Sequence, residues 1–188
     1  MRIVGGRWRG RPLAAPPAGA PIRPTTDRAR ETLFNVLAHD PDVRLDGARV
    51  LDLFAGTGAL GFEALSRGAA SCLFVDAGAP ARALIRQTID ALGCGGVASL
   101  YRRDATALGT VGTRAPHDLV FLDPPYRQGL GEAALASAHD GGWIAPGATI
   151  VLEEASEVEV GWPDGFEGNG ERKVGDSVFH FARFAGQQ

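Results

Sequence analysis

Short, continuously apolar runs alternate with amphipathic stretches from Ala48 to Leu152, and no other feature restricts the fold as strongly. Residues 50–54, 72–75, 98–101, 119–122 and 148–152 each read as a strand buried on both faces. Between them, residues 57–67, 80–92 and 130–138 read as helices; the second carries Leu84, Ile85, Ile89 and Leu92 along one stripe. Strands of this kind separated by helices predict an α/β, doubly wound, mostly parallel sheet covered on both faces. The end of the chain departs from that rhythm. Residues 171–174 and 177–184, joined by Gly175-Asp176, read as an antiparallel hairpin. A seven-stranded sheet closed by a C-terminal hairpin is the expected outcome.

The first forty residues are different in kind. Residues 1–24 are rich in Gly, Pro and Arg, with a short hairpin expected around Gly5-Gly6, and Asp27 is positioned to cap a helix over 27–38. Residues 1–30 hold seven arginines against one acid, a formal +6; with a net charge of −3 for all 188 residues, the remainder carries −9. A basic arm on an acidic body suits a polyanion held at one place. The chain therefore divides into a small basic extension, 1–40, and a catalytic domain, 41–188.

Composition excludes several classes. No apolar run reaches the roughly 20 residues that span a bilayer, and the first residues lack the apolar core of a signal peptide. Cys72 and Cys94 and the four histidines form no metal-like spacing, so no metal is expected, and the setting expected is a cytoplasmic one, without a membrane.

Two turns carry the chemistry. After the first strand, Asp52-Leu53-Phe54-Ala55-Gly56-Thr57-Gly58-Ala59-Leu60-Gly61 satisfies G-x-G-x-x-G, and Asp76 lies twenty residues beyond Gly56. By spacing alone this is a dinucleotide fingerprint, with Asp76 on ribose hydroxyls. Asp52 argues otherwise: a carboxylate beside the turn faces a pyrophosphate unfavourably but attracts the ammonium of a methionine-like group. Asp104 follows the third strand, where its carboxylate or the Ala105 amide can meet an adenine edge.

The second turn is Asp123-Pro124-Pro125-Tyr126, directly after the fourth strand. The lone pair of a nucleobase amine is delocalised into the ring. Two acceptors on its hydrogens, the Asp123 carboxylate and the Pro124 carbonyl, localise it. The prolines fix φ and supply no competing N–H, and Tyr126 can stack on the base, worth about 1–3 kcal/mol. The pairing points to methyl transfer onto an exocyclic amine.

Together these residues resemble a bacterial family, the small-subunit ribosomal RNA guanine-N2 methyltransferases called RsmD. The likeness runs through Gly5-Gly6-Arg7-Trp8-Arg9-Gly10-Arg11, Arg23-Pro24-Thr25-Thr26-Asp27-Arg28, Arg30-Glu31-Thr32-Leu33-Phe34-Asn35, the glycine turn with Glu63-Ala64-Leu65-Ser66-Arg67, and Asp123-Pro124-Pro125-Tyr126. The resemblance implies a class I, Rossmann-like methyltransferase fold and S-adenosylmethionine as donor. Its implied substrate is a guanine of 16S ribosomal RNA in an assembled or assembling small subunit. Asp52, Phe54, Ala55, Gly56, Thr57, Gly58, Asp76, Asp104 and Ala105 become the expected cofactor contacts. Arg7, Trp8, Arg9 and Arg11, with Arg23, Thr25, Thr26, Arg28 and Arg30, become the expected RNA contacts; the second group can equally close over the cofactor. A monomer is expected. Three rival readings remain at this stage: a nicotinamide oxidoreductase, an enzyme acting on adenine N6 or cytosine N4, and a non-catalytic RNA-binding or assembly protein.

Overall fold

The computed structural model describes residues 1–17, 19 and 25–186. Seven strands form one sheet: β1 (Arg49–Leu53), β2 (Ser71–Val75), β3 (Ala98–Tyr101), β4 (His117–Leu122), β5 (Ile144–Ala155), β6 (Phe166–Val174) and β7 (Ser177–Phe184). Their order is β3-β2-β1-β4-β5-β7-β6. The first five are parallel, and β7 enters antiparallel between β5 and β6, so the doubly wound sheet with its terminal hairpin is as expected.

The strands are continuous apolar runs because both faces are covered. One core layer lies under α1 (Asp27–His39), α2 (Ala59–Ser66) and α3 (Ala79–Leu92), with Phe34, Phe62, Phe74 and Phe121 at its centre. The opposite layer lies under α4 (Leu130–Asp140) and a short 3-10 helix, Ala105–Ala107, and is filled by Leu53, Val120, Leu135, Trp143 and Leu152. The sheet order turns between β1 and β4, which connect to opposite sides. That switch point is where ligands bind in open α/β sheets.

The N-terminal extension packs into the first layer. Ile3 and Leu13 are buried with Leu33, Phe34 and Leu37 of α1 in one cluster with α2 and α3. Residues 1–3 and 10–13 run antiparallel, the Ile3 N–H donating to the Arg11 carbonyl and the Gly10 N–H to the Ile3 carbonyl, and a 3-10 turn over Gly6–Trp8 makes the tip. Gly6 sits at φ +74°, and a Cβ there would collide with the Ser66 carbonyl, so the tip reaches the end of α2 only because it has no side chain. The cap of α1 is a correction. Thr26, not Asp27, occupies the N-cap, its hydroxyl accepting from the Ala29 N–H at 3.1 Å. Asp27 is the first helical residue and takes the Arg30 guanidinium at 2.7 Å instead.

Candidate active site

β1 ends in a turn that departs from ordinary backbone geometry at Phe54, whose φ is 57°, before Gly56 and Gly58 at φ 56° and 76°. A phenylalanine in the left-handed region costs about 1–2 kcal/mol. The neighbouring carboxylates hold the turn in that shape. Asp76, just past β2, accepts from the Gly56 N–H at 2.9 Å through one oxygen and from the Gly78 N–H at 2.7 Å through the other. A carboxylate has about four lone-pair sites, so acceptor capacity remains for ribose.

Asp52 is only 2 % exposed, and its Oδ2 accepts from the Gly61 N–H at 3.0 Å. Burial pushes its carboxyl up to about 8; the Gly61 bond opposes that shift and the nearby Asp76 charge adds to it. Gly61 is required at this contact. A Cβ there would stand 2.9 Å from Asp52 Oδ2 and 2.6 Å from Cys72 Sγ, and closer still to the Phe74 ring.

At the next strand end, the Asp123 N–H donates to the Leu53 carbonyl at 3.4 Å, joining the Asp-Pro-Pro-Tyr turn to the end of β1. Asp123 is half-buried, Pro124 buried, Pro125 exposed and Tyr126 half-buried. The Tyr126 hydroxyl donates to Glu153 Oε1 at 2.7 Å; burial and then that carboxylate hold the phenol well above its usual pKa. Arg127 closes the turn at φ 64°, its N–H on the Glu154 carboxylate and its guanidinium on Glu157. From the extension, the Thr25 hydroxyl donates to Asp123 Oδ2 at 3.2 Å.

Both turns open into one cavity of about 1160 Å³. Its wall includes Asp52, Phe54, Ala55, Gly56, Thr57 and Asp76 from the first turn, all of Asp123–Tyr126, and Thr25, Thr26 and Arg28 from the extension. Gly58 is buried behind that wall. Asp104 and Ala105 stand outside it among the described residues. The Asp104 carboxylate is exposed and capped by the N–H and hydroxyl of Thr106, which hold it below its usual range, while Ala105 is buried in the opposite core layer.

The arginines separate into different roles. Arg30, expected at RNA, is fully buried: its guanidinium donates to the carbonyls of Thr25 and Arg2 and to Asp27. It cannot reach a polyanion. It lies on the apolar stripe of α1, three, four and seven residues before Leu33, Phe34 and Leu37, and braces the backbone that presents Thr25. Arg7, Arg9 and Arg11 are exposed; Arg7 lies over the half-buried Trp8 ring at 4.1 Å, and Arg11 donates to the Ala91 carbonyl. The Trp8 N–H is held by Ser66 at 2.9 Å. This tip thus lies at the carboxyl ends of α2 and α3, about 10–16 Å along the helices from the cavity. Arg23 falls outside the described residues.

Two contributors went unforeseen. The strand-β6 and hairpin residues 171–177 form the outer wall of the cavity, and Glu153 stands in its floor. Glu153 follows the apolar run of β5, and an acid at a parallel strand's carboxyl end was the signal available for it. Among the described residues no group of His, Cys, Asp and Glu could hold a metal, both cysteines are free and buried, and no helix is long and apolar enough to cross a membrane.

The family model "Conserved hypothetical protein 95" matches residues 1–183. The chain is a member of that family. It is 44% identical over 163 residues to "Ribosomal RNA small subunit methyltransferase D" of Escherichia coli strain K12, covering 87% of this chain and 78% of that one. The protein of the same name from Haemophilus influenzae is 36% identical over 155 residues, covering 81% and 78%. Among solved structures, the Escherichia coli protein yhhF superposes with a TM-score of 0.83 at 36% identity over 100% of this chain and 99% of that one. Membership of this methyltransferase family identifies the sheet as a class I, Rossmann-like methyltransferase fold and the protein as an enzyme.

Proposed function

We propose that this enzyme transfers the methyl group of S-adenosylmethionine to the exocyclic N2 amine of one guanine in 16S ribosomal RNA, within an assembled or assembling small subunit. One observation carries the reading: a single cavity joins the acid-flanked glycine turn to the Asp-Pro-Pro-Tyr turn. The relatives' names supply the small-subunit RNA. The donor fits the wall chemically. Asp52 and Asp76 line the glycine-turn side, where Asp52 can ionise to pair with an ammonium and Asp76 suits ribose hydroxyls, while a pyrophosphate would gain nothing from Asp52. This argues against a nicotinamide cofactor.

When bound, S-adenosylmethionine supplies an electrophilic methyl on a sulfonium. The remaining work falls to the chain. The Asp123 carboxylate and Pro124 carbonyl accept the two amine hydrogens and draw the nitrogen towards tetrahedral geometry, with its lone pair turned to the glycine-turn side. Pro125 contributes no N–H to compete for that carbonyl. Tyr126, pinned by Glu153, offers its ring to the base, which leaves its stack to enter the cavity. The Asp123 carboxylate then receives the proton that the amine releases. The leaving thioether is neutral, so positioning dominates the rate.

No large hydrophobic side chain among the described residues is exposed, which supports a monomer, acting in the cytoplasm where its substrate assembles. The test is transfer of labelled methyl to small subunits lacking the modification, followed by mass spectrometry of the digested nucleosides. N2-methylguanosine is expected. Asp123→Ala should lower turnover at least about 10²-fold, as for loss of one preorganised polar contact, with donor affinity kept. Label on adenine or cytosine alone overturns the guanine assignment.

A further inference from the structure

β4 and β5 pair in parallel up to Leu122 and Leu152. One residue further, Asp123 lies just past the end of β4 while Glu153 continues β5 beside it, roughly 4.8 Å apart by ordinary sheet spacing. Glu153 is 5 % exposed and lines the cavity. One of its oxygens holds the Tyr126 hydroxyl. The other, Oε2, is buried with no hydrogen-bond partner in the structure. A buried acceptor without a donor is destabilising, and such a group in a site wall calls for a ligand that supplies one.

We infer that Glu153 determines the choice of base, accepting the ring N1–H that neighbours the amine held by Asp123 and Pro124. This rests on the guanine-N2 reading above and deepens it. Guanine presents two kinds of donor on that edge, its N2 amine and N1–H. In adenine the ring nitrogen beside the N6 amine is an acceptor, and so is N3 beside the N4 amine of cytosine. An unprotonated ring nitrogen facing Glu153 leaves two acceptors opposed, and a site built around a hydrogen bond rejects the analogue that lacks it. The geometry is consistent with a base stacked on Tyr126, since Glu153 sits at the hydroxyl end of that ring and so at the edge of anything lying on its face. Oε2 is covered in the structure, and because a half-turn of the carboxylate only exchanges it with Oε1, the entering base reaches it by displacing the side chains that cover it.

The experiment uses small subunits reconstituted with guanine or 2-aminopurine at the methylated position; both carry the 2-amine, but only guanine has N1–H. The native enzyme should favour guanine by about a hundredfold or more in kcat/KM. Glu153→Gln keeps an oxygen for Tyr126 and turns a donor towards the base. It should lose about a hundredfold on guanine and much less on 2-aminopurine, narrowing the preference at least about tenfold. Tyr126→Phe should lower both substrates alike. Equal use of the two bases by native enzyme overturns the inference even if the variant does not fold, and so does an equal loss on both in Glu153→Gln. Native enzyme that methylates adenine or cytosine and leaves guanine untouched removes the guanine reading itself, and this one with it.

Discussion

On the proposed reading, Asp52 should couple donor binding to a proton. Its carboxyl is buried against Gly61 and pushed up to about 8. At pH 7 roughly nine-tenths of the molecules then carry the proton, and an ammonium gains little from a neutral acid. Binding the cationic donor must ionise Asp52, which at pH 7 costs about 1.4 kcal/mol, or tenfold in affinity, and about a hundredfold at pH 6. The apparent Kd should therefore fall about tenfold per unit from pH 6 towards 8. Above 8 the donor's own α-ammonium begins to lose its proton, so affinity should peak there. Titration calorimetry at pH 7 in buffers of different ionisation enthalpy should report close to one proton released per donor bound. Asp52→Asn keeps an oxygen for the Gly61 N–H and should flatten the acid limb. The same shift acts on stability: the folded pKa is raised, so the Asp52 contribution is complete below about pH 4 and is lost as pH rises through 8. Donor binding to the native protein without proton release, or an acid limb unchanged in Asp52→Asn, would refute the coupling.

Three further outcomes follow from contacts elsewhere. Replacing Arg7, Arg9 and Arg11 by Ala should raise KM for small-subunit RNA and reduce the log–log salt slope by about 2, at roughly 0.7 per charge on single strands, while donor affinity stays constant; an unchanged slope removes the tip from RNA binding. Thr25→Val deletes the hydroxyl on Asp123; at about 1.5–3 kcal/mol for a bond to a charged group, turnover in a single-turnover assay should fall about ten- to a hundredfold and recover in Thr25→Ser. Failure of serine to restore it would assign the loss to packing. Gly61→Ala adds helix propensity worth about 1 kcal/mol but drives a methyl into Phe74, Cys72 and Asp52, costing about 1–3 kcal/mol beyond the strained Asp52 bond. The midpoint of thermal unfolding should drop by several degrees, and an unchanged or higher one would show that β2 yields more easily than its burial implies.

Much of this architecture was legible because its strands are buried on both faces. The run 119–122 was placed within two residues of β4, and the runs for β1 and β2 within one, since nothing but a covered parallel strand needs so unbroken an apolar sequence. The edge was harder to read. β6 begins at Phe166 rather than 171, with nearly every side chain exposed and a register shift between Gly168 and Gly170, so apolar patterning carries no signal there. β5 begins four residues early, at Ile144, through Pro146 and Gly147, which read locally as chain breakers. In both places pairing with a neighbour, not local preference, decides the conformation.

The functional residues divide along the same line. Asp52, Asp76 and Asp123, which line one cavity, stood out in the sequence because each lies next to a turn whose chemistry is local. Arg30 was misassigned although the information was present: helical spacing put it on the buried stripe of α1, and its sign drew it to RNA instead. Glu153 and Thr25 are different again. Thr25 meets Asp123 across 98 positions, and Glu153 stands beside it only through the β4–β5 register. On the proposed mechanism, the grip on the amine is a property of four consecutive residues, and many methylating enzymes can share it. On the proposed reading, choosing which amine enters takes an acceptor from another strand, so specificity resides where folding brings distant segments together.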